Sequence, residues 1–385
     1  MLALPLTSAA TGLVVAISLL IICWLFTYLT ATLVLEINLW LDGEPSYISM
    51  AQQTLGRGGA GFAWLCFLLM FYSLLAAYID GGGALLQAAM QSLFAKAIPG
   101  WLGALLWALL FYGIVFLGTT TVDYVNRLFT LSLVIAYALL MVVGLPQAQL
   151  NFAIPAHSSY LIWASLPVLI TSFGYHIIIP TVRHYLRGNL RQLLRVLWWG
   201  SIAILSIYVL WDCLVFGILP NQGPHSLINV LNSGEAVTGL TNAISSQLAH
   251  SFLPDTIRFF AFFALASSFL GVAYGLFDLI ADGLKIKKTK HGRILASALT
   301  FVPPIIFALS YPQGFILALG YAGMFVAILH GLLPIAMVVA GRRKFANIAI
   351  YQAPGKWIGL IAATLFFSIV IFADLAMQLH WLSVG

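Results

Sequence analysis

Three acidic residues lie inside strongly apolar runs of the sequence, where an ionised carboxylate is costly. They are Asp80 in YIDGGG, Asp212 in LWDCL and Asp374 in the last run. A charge at the centre of a bilayer costs about 2.5 to 3.5 kcal/mol or more, so each acid must be paired, protonated or exposed to a cavity. Asp80 and Asp212 are therefore candidates for proton coupling, with a structural or interface role as the alternative.

A run of small, polar and aromatic residues, TSFGYH at 171–176, interrupts another apolar stretch, and Pro180 follows it. Gly and Pro inside a membrane crossing free backbone groups that only protein or a water-filled cavity can receive. Transporters bind their substrates at such breaks, whereas the alternative is a proline kink with ordinary packing. His176 and the later His330 are either neutral core residues or members of a proton path, because imidazole changes charge near neutral pH.

Small residues mark the apolar run around residue 268, which contains Ser267, Ser268 and a GxxxG step from Gly271 to Gly275. Small residues let helix backbones approach closely. The two hydroxyls either bond a neighbouring helix or coordinate a cation, so both serines are candidate ion ligands. The three cysteines match no metal or redox spacing, and no metal or cofactor is predicted.

The composition requires a membrane protein, because 62% of the residues are hydrophobic, only 7% are charged and the mean hydropathy is +1.02. A crossing needs about 20 mostly apolar residues. The apolar runs predict a short first piece followed by ten full crossings. They cover residues 1–11, 13–40, 62–93, 101–119, 122–145, 160–182, 190–219, 252–281, 293–310, 314–341 and 356–380.

The basic residues fix the predicted orientation, since all but Lys96 and Arg258 of the 17 Lys and Arg residues fall on one side of these crossings. Cytoplasmic loops retain Lys and Arg, so that side is the cytoplasm. The net charge of +6 then reflects orientation in a lipid bilayer, not nucleic-acid binding. Glu36 near a cytoplasmic end is expected to help close a gate or to pair with a loop Arg, and residues 235–250 suit a helix near the outer surface.

The first eleven residues form about 16 Å of helix, half of a crossing. We expect that a half-helix upstream is missing from this sequence, the alternative being a chain that begins with a half-helix. Shifting the sequence by 175 residues places Pro5 over Pro180, which suggests an inverted repeat. The chain is read as one transmembrane domain, 1–385, with repeat one at 1–145, repeat two at 160–341 and an additional helix at 356–380.

Four segments together resemble the hydroxy and aromatic amino acid permease family, and within it the bacterial tyrosine-specific permeases. They are MLALPLTSAATG at 1–12, AYIDGGGALLQ at 77–87, SFGYHIIIPT at 172–181 and SSFLGVAYGLFDLIADGLK at 267–285. The resemblance implies an all-α integral membrane protein with a LeuT-like five-plus-five inverted repeat and an eleventh helix. It also implies import of an aromatic amino acid, most closely tyrosine, into a bacterium across the inner membrane by proton symport.

In that architecture the unwound parts of the first and sixth helices meet the amino and carboxylate groups of the substrate, and a pocket takes the ring. The substrate-binding residues implied are Met1, Ala3, Leu4, Tyr72, Ser172, Phe173, Gly174, Tyr175, His176 and Phe269, and the coupling residues are Asp80, Asp212, Ser267 and Ser268. Family members carry a Gly-rich stretch before MLALP, which is absent here, and commonly have Ser in place of Asp80. Sodium coupling through the two serines remains an alternative. An intramembrane enzyme is a weaker alternative, because no HExxH or GxSxG motif is present. A channel is also a weaker alternative, because the polar residues collect at helix breaks and do not form a stripe along a continuous helix.

Overall fold

The computed structural model describes residues 1–9, 11–43, 45–94, 98–149, 159–220, 223–248, 252–287, 289–346 and 351–379. Within these ranges the chain is helical and contains no strand. Ten of the helical segments there are long and apolar enough to cross a membrane. The predicted number of full crossings is thereby confirmed, and the protein is a multi-pass membrane protein.

The helices follow the apolar runs closely. In chain order they are α1 (Ala3–Thr7), α2 (Leu13–Leu39), α3 (Tyr47–Phe94), α4 (Gly100–Leu117), α5 (Thr119–Gly144), α6 (Ser159–Thr171), α7 (Ile179–Tyr185), α8 (Leu190–Ile218), α9 (Leu227–Asn232), α10 (Ala236–Gln247), α11 (Leu253–Gly283), α12 (Lys290–Ser310), α13 (Phe315–Val326), α14 (Leu333–Lys344) and α15 (Lys356–Gln378). A 3₁₀ turn, Tyr175–Ile178, precedes α7, and a π-helical segment, Ala327–Leu332, joins α13 to α14. Two of the ten crossings are therefore interrupted helices.

Helix α3 is longer than its apolar run predicts, because it begins at Tyr47 rather than near residue 62. Its first turns contain the polar residues Gln52, Gln53 and Thr54, so the sequence pattern there predicts a loop and not a helix. The backbone leaves helical geometry at Gly56, where φ is +80°, a value that L side chains rarely adopt. The element is thus a polar helix that bends at Gly56 into a membrane crossing.

Internal contacts divide the chain into two compact units. The first unit comprises Met1–Ala16, Phe71–Leu161 and Leu210–Leu319. Its core forms around α11, which packs against α5, α10 and α12, and it also holds α1 against α9 and α10. The second unit comprises Ile17–Met70, Ile162–Val209 and Gly320–Gly385, and there the π-helical segment packs against α15.

The helix expected near residues 235–250 is present as α10. One face of this helix is buried, with Val237, Leu240 and Ile244 all inaccessible or nearly so. The final predicted residue, His250, lies outside the described residues, as do Lys96 and Lys288 of the basic-residue count. The prediction of a helix is confirmed.

Candidate functional site

The break predicted at 171–176 is confirmed in the second unit. Helix α6 ends at Thr171, and the backbone N–H groups of Ser172 and Phe173 still bond to the carbonyls of Leu169 and Ile170. Gly174 then leaves helical geometry, and the 3₁₀ turn follows. Pro180 occupies the first turn of α7, where its missing N–H costs nothing. The sequence interrupts this crossing at the place where its polar residues collect.

A second interruption, at the π-helical segment, contains His330 and is not predicted by the sequence. A π-helix displaces the usual backbone bonds, and such segments are frequent at functional sites. The hydroxyl of Tyr47, on α3, donates a hydrogen bond to the Leu329 carbonyl within this segment. This hydrogen bond gives a partner to a backbone carbonyl within the π-helical segment. Gly331 lies within this segment and Pro334 follows it, as Pro180 follows Gly174, but without the polar run found at 171–176.

The two interrupted crossings meet through their histidines. The rings of His176 and His330 stack with centroids 4.5 Å apart and planes inclined by 10°. Tyr175 stacks on the His176 ring at 5.3 Å, and Tyr47 meets the His330 ring edge-on at 6.2 Å. Both imidazoles are buried, with 0% and 2% of their surface exposed. We call these two residues the histidine pair.

One ring nitrogen of His176 has a hydrogen-bond partner. The His176 Nε2 atom lies 3.0 Å from the Thr30 hydroxyl on α2. The single proton of that hydroxyl can go to the Phe26 carbonyl, to the Thr27 carbonyl or to Nε2, so either partner can be the donor. His176 Nδ1 and both ring nitrogens of His330 have no hydrogen-bond partner among the described residues.

The other residues predicted in this segment are near the histidine pair in sequence but differ in exposure. Phe173 is fully buried and meets Tyr208 edge-on at 5.8 Å. Ser172, Gly174 and Tyr175 are partly exposed. The structure therefore brings the whole Ser172–His176 set to one break. Its contact with a substrate stays a prediction.

In the first unit, the predicted residues of α1 lie beside a buried acid. The Trp211 indole donates to the carbonyl oxygen of Met1 at 3.0 Å. The Asp212 carboxylate is fully buried and has no hydrogen-bond partner among the described residues. Ala3 and Leu4 are also buried. A predicted coupling residue and the first predicted substrate-binding segment thus lie together.

Asp80 occupies a different part of the first unit. Its Oδ1 atom accepts the backbone N–H of Gln313 at 3.1 Å. The residue borders a cavity of about 610 Å³ together with Gln87, Trp101 and Glu235. Asp80 is therefore a cavity acid with a backbone partner, whereas Asp212 is enclosed.

The predicted ring-pocket and cation residues of the first unit make contacts within the protein. The Tyr72 hydroxyl donates to the Leu299 carbonyl at 2.8 Å. Phe269 is fully buried and lies 4.8 Å from the ring of Phe111. Ser268 is exposed, and its hydroxyl interacts with Tyr78, while Ser267 is partly exposed. Their roles toward a substrate or a cation stay predictions. Among the described residues, no group of three or more His, Cys, Asp or Glu side chains is arranged to hold a metal ion.

The glycine triplet of YIDGGG serves helix packing. A Cβ atom on Gly82 would overlap the Trp107 indole, and one on Gly83 would lie 2.6 Å from the Ala104 backbone. Small residues at these positions therefore allow α3 and α4 to approach closely. Trp107 in turn meets Phe269 edge-on at 6.3 Å.

Glu36 pairs with Arg342, which confirms that this acid takes an Arg partner. The Arg342 Nε and Nη2 atoms donate to Glu36 at 2.8 and 2.9 Å, and the Ala353 backbone N–H donates at 2.7 Å. The Glu36 side chain is only 2% exposed. A bidentate, buried pair of this kind joins α2, α14 and the loop before α15.

The comparison with known protein families decides what kind of protein this is. A family model described as the tryptophan/tyrosine permease family matches residues 1–374. The chain belongs to the tryptophan/tyrosine permease family. As a member of a permease family it is a transport protein and not an enzyme.

Three similar proteins come from Haemophilus influenzae, two of them named as tyrosine-specific and one as tryptophan-specific. Tyrosine-specific transport system 1 is 34% identical over 90% of this chain and 86% of the relative. Tyrosine-specific transport system 2 is 30% identical over 100% of this chain and 94% of the relative. A tryptophan-specific transport protein of Pseudomonas aeruginosa is 30% identical over 99% and 92% of the two chains. The family resemblance carried by the four sequence segments is confirmed.

A solved structure of the transporter Mhp1, in its inward-facing conformation, shares the fold of this permease. The TM-score is 0.51 and the sequence identity 14%, over 98% of this chain and 86% of the Mhp1 chain. The likeness confirms the LeuT-like helical fold.

Proposed function

We propose that this permease is a secondary transporter that imports an aromatic amino acid, chiefly tyrosine, by proton symport with alternating access. The observation that carries the proposal is the family match over residues 1–374, together with relatives named for tyrosine and tryptophan transport. Tyrosine is placed first because the relative at 34% identity is a tyrosine-specific system, whereas the tryptophan-specific relatives from Haemophilus influenzae and Pseudomonas aeruginosa are 30% identical. The membrane is the bacterial inner membrane, with the basic loops in the cytoplasm.

Each of the two units contains residues that we propose to meet the substrate. In the second unit they are residues 172–176 at the break between α6 and α7, where freed backbone groups suit the ammonium and carboxylate groups of an amino acid, and Phe173 and Tyr175 are candidates for contact with the ring. In the first unit they are Met1, Ala3 and Leu4, with Tyr72 and Phe269 as candidates for contact with the ring. The proposed architecture contains two inverted repeats of five helices each, one at residues 1–145 and the other at residues 160–341.

Substrate exchange tests the choice of substrate. Proteoliposomes loaded with unlabelled tyrosine should take up labelled tyrosine from outside by counterflow. Tyrosine, tryptophan and phenylalanine should compete for this uptake, whereas alanine and lysine should not, because the ring supplies much of the binding energy. Equal competition by alanine would exclude an aromatic-selective site.

The Asp212 carboxylate is the proposed site of the coupling proton, since it is enclosed and lacks a hydrogen-bond partner among the described residues. Such an acid in a membrane is expected to be functional. Asp212→Asn cannot lose and regain a proton, so accumulation driven by a pH gradient should fall to the level of simple equilibration. Counterflow, which requires no net proton movement, should persist. Concentrative uptake by the variant would make Asp212 a structural residue.

Sodium is the alternative coupling ion and is tested in the same vesicles. Ser267 and Ser268 would be its ligands. A dependence of uptake on sodium, with no response to the pH gradient, would assign coupling to these serines instead of Asp212. Ser267→Ala and Ser268→Ala variants would then lose the sodium dependence.

A further inference from the structure

The histidine pair differs from histidines that serve only packing. Buried polar groups in folded proteins nearly always have hydrogen-bond partners. Three of the four ring nitrogens of His176 and His330 have none among the described residues, although both rings are buried. The two rings also belong to the two interrupted crossings, one at a 3₁₀ turn and one at a π-helical segment. The unpaired nitrogens therefore lie where the backbone is least regular.

The rings are arranged so that the pair can accept a single proton. Nε2 of His176 is engaged by Thr30, whereas Nδ1 of His176 and both ring nitrogens of His330 have no hydrogen-bond partner among the described residues. A proton on one ring leaves the other neutral, 4.5 Å away. A second proton would place two positive charges at that separation in a buried setting, where they repel strongly. The pair is expected to titrate as one unit.

The surroundings provide no counter-charge that is free to stabilise this proton. The titratable groups facing the rings are the Tyr175 and Tyr47 side chains, and the Tyr47 hydroxyl is engaged with the Leu329 carbonyl. Three charged groups of the second unit already have partners. Glu36 is paired with Arg342, Arg183 donates to the carbonyl of Leu41, and Asp374 accepts from Gln378. A protonated pair is thus poorly accommodated in the stacked arrangement.

We propose that His176 and His330 together form a proton-binding site that controls the contact between the two interrupted crossings. When the pair is neutral, the rings stack and hold the α6–α7 break against the π-helical segment. When the pair takes up one proton, the stacked contact weakens and the two crossings separate more readily. No covalent bond is made or broken. The proposal rests on the proposed transport function, and it adds a control site distinct from Asp212.

The pH dependence of counterflow tests this proposal, because counterflow needs no proton gradient. Exchange of labelled tyrosine should become faster as the pH falls from about 8 to about 5.5, by at most about tenfold per pH unit, the limit for one proton. His330→Gln, at a residue outside the proposed substrate site, should flatten this dependence while retaining exchange, and His176→Gln should show the same flattening relative to its own exchange rate at pH 8. The pH profile of exchange in the double variant should be no flatter than the profile of either single variant, since the two residues act as a unit. His225→Gln, at an exposed position, is the matched control and should keep the wild-type profile.

NMR titration of the two histidine rings tests proton binding without relying on a transport assay. In ¹⁵N-histidine-labelled protein, two ring signals should titrate together, and substitution of either residue should change the signal of the other. A counterflow profile as steep in His330→Gln as in the wild type, or two rings that remain neutral across the whole range, would overturn the proposal. If the wild-type protein exchanges no aromatic amino acid, the proposed function fails, and the ring titration still decides whether the pair binds a proton.

Discussion

Glu36→Gln is expected to lower the free energy of unfolding by about 3 kcal/mol, at the low end of the 3 to 5 kcal/mol typical for breaking a buried ion pair. The carboxylate accepts two hydrogen bonds from Arg342 and one from the Ala353 backbone. The amide can accept at one oxygen only, and Arg342 then loses its counter-charge. We use the low end because the Arg342 side chain is 19% exposed and water partly screens it.

Unfolding monitored by tryptophan fluorescence in a mild detergent measures this loss. Arg342→Lys should cause a smaller loss, since an ammonium group keeps the charge but not the bidentate geometry. The control is Asp123→Asn, which breaks an exposed pair with Arg127 whose side chains are 78% and 57% exposed. No measurable change is expected there. Equal stabilities for Glu36→Gln and Asp123→Asn would contradict a structural role for the buried pair.

Gly323→Ala is expected to have the other large effect on stability. A Cβ atom on Gly323 would overlap the Pro167 carbonyl group and lie 2.8 Å from the Pro167 Cα. Both obstacles are backbone atoms, so no rotamer change can relieve the clash, and α13 must move away from α6. Overpacking of this kind costs about 1 to 3 kcal/mol, occasionally more. We expect the upper end of that range, with a matching fall in the yield of folded protein.

Gly271→Ala is the matched control for this substitution. Gly271 lies in α11, and a Cβ atom there would meet nothing within 4 Å. The control should be neutral or slightly stabilising, because Ala has a higher helix propensity than Gly. The comparison uses the same fluorescence-detected unfolding in detergent. If Gly323→Ala proved as stable as Gly271→Ala, the close approach of α6 and α13 would be wrong.

The crossings and the first break follow from the sequence because they have local causes. Long apolar runs define the helices, and the Gly174 and Pro180 positions explain why one crossing is interrupted. The predicted boundaries fail mainly at α3, whose polar first turns look like a loop.

The histidine pair has a weaker local signal. The segment AILHGL at 327–332 contains Gly331 and is followed by Pro334, but it lacks a polar run and so looks like an apolar helix. Its π-helical form is accompanied by a hydrogen bond from Tyr47, 282 positions away from Leu329. Thr30 looks like any hydroxyl within an apolar helix. Likewise, the sequence predicts an Arg partner for Glu36 but cannot select Arg342. Contacts between residues distant in the chain are fixed by packing, which a single sequence does not encode in a readable pattern.

The accumulation of labelled tyrosine in proteoliposomes tests the central claim most directly. Vesicles would carry an imposed pH gradient, acidic outside, with sodium either present or absent on both sides. We predict accumulation above the external concentration that collapses with a protonophore, is unchanged by sodium and is inhibited by excess tryptophan. Absence of concentrative uptake under the pH gradient, in vesicles that still exchange tyrosine, would contradict proton symport.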